Sequence, residues 1–206
     1  MRIWLRLALV PLVAAIVLAG IWVAGGVLTN DFRLSMLLTA LWLAAAGAAA
    51  LAVAWRWRAL ALPVLGTAVV TAAVAGGYLL YASSVDKVVS EQVAIAAAAG
   101  NEGVGRGAFA SAGHETTGTA TLLRLADGGT VLTLTELETD PGPDLRVYLV
   151  TGGPDELGDV VDLGALKGNK GDQQYDVPAS VDTERHRTVV IWCRAFSVAF
   201  GSARLA

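Results

Sequence analysis

The chain has 206 residues, a formal net charge of −3, 55% hydrophobic residues and only 16% charged ones, where an average soluble domain carries roughly 25% charged. That composition excludes an ordinary soluble globule, and a single cysteine excludes a disulfide scaffold. The 23 glycines and 6 prolines follow no Gly-X-Y period, which excludes collagen, and the acidic balance gives no support to a nucleic-acid partner.

The averages hide a division. Residues 1–81 hold five arginines and one aspartate, a net charge of +4, and residues 82–206 carry −7. The first part is apolar and basic, the second polar and acidic. Three uncharged runs fill the first part, at 7–30, 34–55 and 59–85. About 20 apolar residues in a helix cross a hydrocarbon core of ~30 Å, so each run is long enough to span a bilayer. Arg2 and Arg6 precede the first run, and Arg56 and Arg58 separate the second from the third. By the positive-inside rule these ends are cytoplasmic, and three crossings place the C-terminal part outside. Trp4, Trp22, Trp55, Trp57, Tyr78 and Tyr81 lie near run ends, as interfacial aromatics do. Cleavage of the first run as a signal peptide near Ala24-Gly25-Gly26 is the weaker alternative.

The runs contain no Asp, Glu, Lys, Arg or His. Pumps, ion-coupled transporters and voltage sensors need such groups inside the membrane. The expectation is a plain three-helix anchor whose partner is the lipid bilayer. The stretch 44–50, rich in Ala and Gly, suits close helix packing, and Pro63 and Gly76-Gly77 are candidate kinks in the third span. Residues 83–103 read as a helical stalk: 85–99 holds helix formers, Gly100-Asn101 stops it, and Gly103, Gly105 and Gly107 make a flexible lead-in.

The remainder, 104–206, reads as an all-β antiparallel sandwich or barrel-like domain. Candidate strands lie at 116–125, 130–137, 145–151, 160–163, 173–177, 188–193 and 196–200, with a hairpin signal at Asp127-Gly128-Gly129. Phe196, Val198 and Phe200 alternate with smaller residues, as in a strand with one inward aromatic face. The 188–193 segment is apolar in both phases, which marks a central strand.

Chemistry-bearing residues are few. Cys193 is the only thiol; it is either core or a reactive centre in an oxidising space, with His114 and Trp192 as candidate neighbours. His186, between Arg185 and Arg187, reads as a solvated turn. Asp140-Pro141-Gly142-Pro143-Asp144 is rigid turn chemistry; Asp140 and Asp144 are a candidate binding turn, and Asp144 is placed to cap nearby amides. No metal-ligand spacing, c-type haem signal, nucleophile elbow or phosphate-binding loop is present, so no cofactor and no enzymatic class is expected.

Five stretches resemble the DM-thirteen domain family, described as an electron-transfer domain. They are Gly107-Ala108-Phe109; His114-Glu115-Thr116-Thr117-Gly118-Thr119-Ala120; Gly142-Pro143-Asp144-Leu145-Arg146-Val147-Tyr148-Leu149; the run from Leu163-Gly164-Ala165 through Gly168-Asn169-Lys170-Gly171-Asp172 to Val177-Pro178; and the run from Val190-Ile191-Trp192-Cys193-Arg194 to Gly201. They cover about 105 to 205 and leave out the three spans. The resemblance implies a small β-sandwich-like extracellular module whose redox role would centre on Cys193. Two functions follow: a non-enzymatic binding or scaffold module facing an extracytoplasmic protein or ligand, or a redox module using the Cys193 thiol.

Overall fold

The computed structural model describes residues 3–29, 32–95 and 100–206. Arg2 and Asp31, which enter the charge argument for orientation, and residues 96–99 of the expected stalk lie outside the described residues. The chain divides into two compact units, one of residues 1–81 with 195–197 and the other of residues 82–194 with 198–206.

The first unit holds α1 (Ile3–Gly26), α2 (Phe32–Arg56) and α3 (Ala61–Ala82), with a 3-10 turn at Arg58–Leu60. All three helices are long and apolar enough to cross a membrane. Helix α3 runs unbroken through Gly76-Gly77, and Pro63 lies in its first turn, where a missing N–H breaks no helical bond. Helix α1 packs against α2, with Gly20 under the Trp42 indole. The 44–50 stretch is mostly exposed; Ala50 is its buried member, so most of its small surface is not used for packing within the chain.

The second unit is two five-stranded sheets and no closed barrel. The strands are β1 (Val88–Ser90), β2 (Glu102–Ala108), β3 (Ala110–Ser111), β4 (Thr116–Arg124), β5 (Thr130–Thr139), β6 (Leu145–Val150), β7 (Val160–Ala165), β8 (Lys170–Val177), β9 (Thr188–Cys193) and β10 (Val198–Arg204). The first sheet runs β1-β8-β5-β4-β2 and the second β3-β10-β9-β6-β7. Every pairing is antiparallel except β1 with β8. Asp127-Gly128-Gly129 is the β4–β5 turn, where Gly129 N donates to the Asp127 carboxylate. Strand β9 is central in its sheet, and all six of its residues are buried.

The core lies between the sheets. Val147 and Leu149 of β6 share a face by register with Ile191 and Val189 of β9, and Gly201 of β10 pairs with Ile191. A Cβ on Gly201 would lie 2.5 Å from the Thr116 side chain of β4, so this face meets the first sheet. There Ala120, Leu122, Leu132 and Leu134 share a face and have no exposure. Fully burying each of these leucines contributes about 1.5–3 kcal/mol.

Three expectations are corrected. The 83–103 stalk is not a helix over its described residues: 88–90 is strand β1, 91–95 is irregular and β2 begins at Glu102. A short helix is marginal in water, and pairing with β8 outcompetes local propensity. Gly103, Gly105 and Gly107 are no flexible lead-in but part of β2. Arg106 exchanges backbone bonds of 3.1 Å with Ala206, and a Cβ on Gly107 would run into Arg204 O. The last strand is Val198–Arg204, not 196–200; residues 194–197 form the turn from β9, with Ser197 at a φ of 51°.

Candidate functional site

Cys193 ends β9 opposite Leu145 of β6 and Val198 of β10. It has 0% exposure. Strand alternation puts its side chain on the face of Val189 and Ile191, toward the first sheet. The sequence around it predicts that outcome, since both phases of this strand are apolar.

Trp192 stands on the opposite face of the same strand. Its ring stacks with Tyr148, centroids 6.3 Å apart and planes at 22°. Val150, Val190 and Ala199 complete a second apolar cluster, with Leu157 packed against it. Burial pushes the Tyr148 hydroxyl above its ordinary pKa, and the Asp162 carboxylate adds to this. Asp162 itself is held by Arg146, whose Nη2 lies 2.7 Å from Oδ2. Trp192 and Cys193 are therefore sequence neighbours in separate environments.

His114 lies in the turn between β3 and β4. Its Nδ1 is 2.9 Å from Asp140 Oδ2, and its ring stacks on Phe200 at 3.7 Å between centroids. The His114 and Asp140 side chains are open to water, at 38% and 59% exposure. Asp144 accepts a 2.7 Å hydrogen bond from Arg194 Nε, and Arg194 N donates to Asp144 O at 2.9 Å. That bond to Asp144 raises the Arg194 pKa further above its ordinary value. The expected amide cap by the Asp144 side chain is thus replaced by a bond from a guanidinium. The turn brings His114 to Asp140 and Arg194 to Asp144, so both candidate binding carboxylates already hold basic side chains of this chain.

His186 is not a solvated turn residue. It is buried, Nδ1 donates to Asp182 O at 2.9 Å, and Nε2 lies 3.3 Å from Asp159 Oδ2. The flanking arginines suggest exposure in the sequence, but the loop folds the imidazole inward.

Sequence reasoning missed a second polar cluster, at the β8 side of the sandwich. Gln173 is fully buried on the inner face of β8. Its Oε1 accepts from the Tyr175 hydroxyl at 2.7 Å, Lys167 N at 3.0 Å and Gly168 N at 3.3 Å. Its Nε2 donates to Gly168 O at 2.8 Å. Burial pushes the Tyr175 pKa up to about 12. Lys167 Nζ donates to both Glu91 oxygens at 2.8 Å and to Gln174 O at 2.7 Å, and it lies 5.2 Å from the Tyr175 ring centre. Glu91, Gln92, Leu163, Lys167, Gln174 and Tyr175 line a cleft there. The signal in the sequence was a polar Gln inside an otherwise alternating strand, which needs partners once buried. Among the described residues no group of three or more His, Cys, Asp and Glu side chains is arranged to hold a metal ion.

No curated protein and no solved structure matches this chain. Residues 108–205 match the family described as Electron transfer DM13. That span runs from the last residue of β2 to just past β10 and takes in His114, Asp140, Asp144, Trp192 and Cys193. The C-terminal part of the chain, residues 108–205, is thus similar to the electron transfer DM13 family, and the three apolar helices lie outside the match.

Proposed function

We propose that the chain is a membrane-anchored, extracytoplasmic DM13 module that works by binding rather than by catalysis, with Cys193 as a core residue. The observation that carries this reading is the 0% exposure of Cys193 in a strand paired on both sides. A redox thiol must meet its partner, and thiol–disulfide exchange requires direct attack on sulfur. The exposed chemistry is instead the His114–Asp140 pair, which offers an imidazole and a carboxylate to a partner.

Anchoring is supported by the apolar surface of the first unit. Leu41, Leu51, Leu62, Val69 and Leu80 are exposed on its helices. In water such a surface aggregates, whereas a hydrocarbon surrounding accepts it. The cytoplasmic assignment of Arg56 and Arg58 rests on their excess over the outer loops.

The test is alkylation of Cys193 in the full chain on intact membranes. Labelling only after denaturant, with normal behaviour of Cys193→Ser, is the expected result; rapid labelling of the folded chain overturns it. Glu184→Cys in the Cys193→Ser background should react with an impermeant reagent from outside, and protection there overturns the orientation.

Electron transfer is the second reading. It is supported by the description of the family and by the Tyr148–Trp192 stack, which lies one residue along β9 from Cys193 on the opposite face. It needs a redox partner and a reachable thiol, and rapid alkylation of Cys193 in the folded chain would support it.

A further inference from the structure

The DM13 match begins at residue 108, yet the domain takes a strand from further upstream. From Asp86 to Ala94 the chain lies along the outer edge of β8. Val88 pairs with Lys170, Val89 with Gly171 and Ser90 with Asp172, in parallel. Two backbone bonds bracket this ladder, Lys170 N to Lys87 O at 3.3 Å and Glu91 N to Asp172 O at 2.9 Å. So short a ladder does not hold a strand by itself.

Side chains supply the rest, at both ends. Lys170 Nζ lies 2.9 Å from Asp86 and 3.0 Å from Glu138. Asn169 accepts Lys87 N at 2.7 Å and donates to Asp86 at 2.8 Å. At the far end the Glu91 carboxylate receives Lys167 Nζ at 2.8 Å through each oxygen, and Gln174 N at 2.9 Å. Ala94 N then donates to Gln174 Oε1 at 2.8 Å.

The edge is also shaped for an occupant. A Cβ on Gly168 would lie 2.5 Å from Lys87 O and 2.6 Å from Val89 Cγ2, and one on Gly171 would run into Val89 O. For both glycines the three nearest atoms belong to the upstream segment and none to the rest of the domain. The opposite edge of this sheet, β2, is closed by the Arg106–Ala206 pairing.

We propose that the β8 edge is a strand-addition site, filled in cis by residues 86–94. Its ligand class is an extended segment in parallel register with carboxylates at the positions of Asp86 and Glu91. Lys170 and Asn169 receive the first carboxylate; Lys167 and the Gln174 amide receive the second. The chain's own segment is a releasable plug. It shields an edge that would otherwise recruit foreign strands, and partly exposed ion pairs screened by salt hold it there. The proposal is independent of the role of Cys193.

The test uses the full chain in lipid nanodiscs, in three forms: wild type, D86N/E91Q and G168A. The probe is a fluorescent peptide of residues 86–94, with a second peptide carrying Asn and Gln in place of its two acids. Asp86→Asn and Glu91→Gln weaken the plug and leave the groove intact; Gly168→Ala fills the groove against any occupant. Amide exchange at 88–91 should be at least ten-fold faster in both variants, with β9 protection unchanged. The D86N/E91Q chain should bind the acidic peptide at least ten-fold more tightly than wild type, and the G168A chain should not gain binding. Unchanged exchange in both variants overturns the plug. Faster exchange with no peptide binding by D86N/E91Q overturns the site, as does equal binding of the two peptides or a gain by G168A.

Discussion

Trp192 and Cys193 are consecutive on β9, yet the indole stacks with Tyr148 on one face of the sheet while the thiol sits on the other, toward the first sheet. A central strand buried on both faces makes every side chain a packing residue, whatever its chemistry. Trp192→Ala should therefore cost about 3–5 kcal/mol, and Cys193→Ala nearer about 1 kcal/mol. Denaturant midpoints of the two variants check the order; a larger loss at Cys193 would overturn the assignment.

The Tyr175 hydroxyl is one of three donors to Gln173 Oε1, so Tyr175→Phe should cost about 0.5–1.5 kcal/mol. Gln173→Leu should cost more, because it takes the side-chain partners from both Gly168 N and Gly168 O, while Lys167 N keeps the Tyr175 hydroxyl at 2.9 Å; a buried unpaired donor costs about 1–3 kcal/mol. Thermal unfolding of the two variants distinguishes them.

Acid should release the 86–94 segment. The Lys170 ammonium and then the Asn169 amide hold the Asp86 carboxyl below its ordinary 3.8; Lys167 and then the Gln174 amide hold Glu91 below 4.5. A lowered carboxylate contributes fully above its ordinary value and loses that contribution as pH falls through the lowered one. Lys170 is held above 10.5 by Asp86 and then Glu138, so its share is complete below 10.5 and disappears as pH climbs through the raised value. Protection of the 88–91 amides, corrected for intrinsic exchange, should be flat from about pH 5 to 10 and fall outside that window.

Tyr175 adds a loss on the alkaline side. The unfolded chain gives up this proton near the ordinary value of 10.0, whereas burial delays it to about 12 in the fold. Stability should decline across that interval in wild type and decline less in Tyr175→Phe, as read from unfolding at stepped pH.

Breaking the turn pairs should change little. His114–Asp140 and Arg194–Asp144 are partly exposed, and such pairs contribute about 0–1 kcal/mol. Asp140→Ala and Asp144→Ala should each remain folded with a shift inside that range, which leaves them usable as probes of partner binding.

Local pattern was enough where local pattern governs. Uninterrupted apolar runs give helices because a lone helix satisfies its own backbone bonds, and α1, α2 and α3 fall within a few residues of the three runs. Alternation and turn residues located β4 to β9, and the two apolar phases of 188–193 marked the central strand. The edges were not legible. Strand β1 is short and surrounded by helix formers, and what holds it is contacts with Asn169, Lys170 and Lys167, some eighty residues away.

From the sequence alone came the division of charge, the three apolar helices and the β domain, set by composition, by run length and by a period of 2, and the resemblance, which five local stretches carry and the family match bears out. Only the tertiary structure decided which polar groups meet. It turned His186 inward, paired Asp140 with His114 and Asp144 with Arg194, and laid Glu91 against Lys167. The reason is physical: a buried or clasped polar group needs a partner in space, and the chain carries no local signal for a partner many residues away.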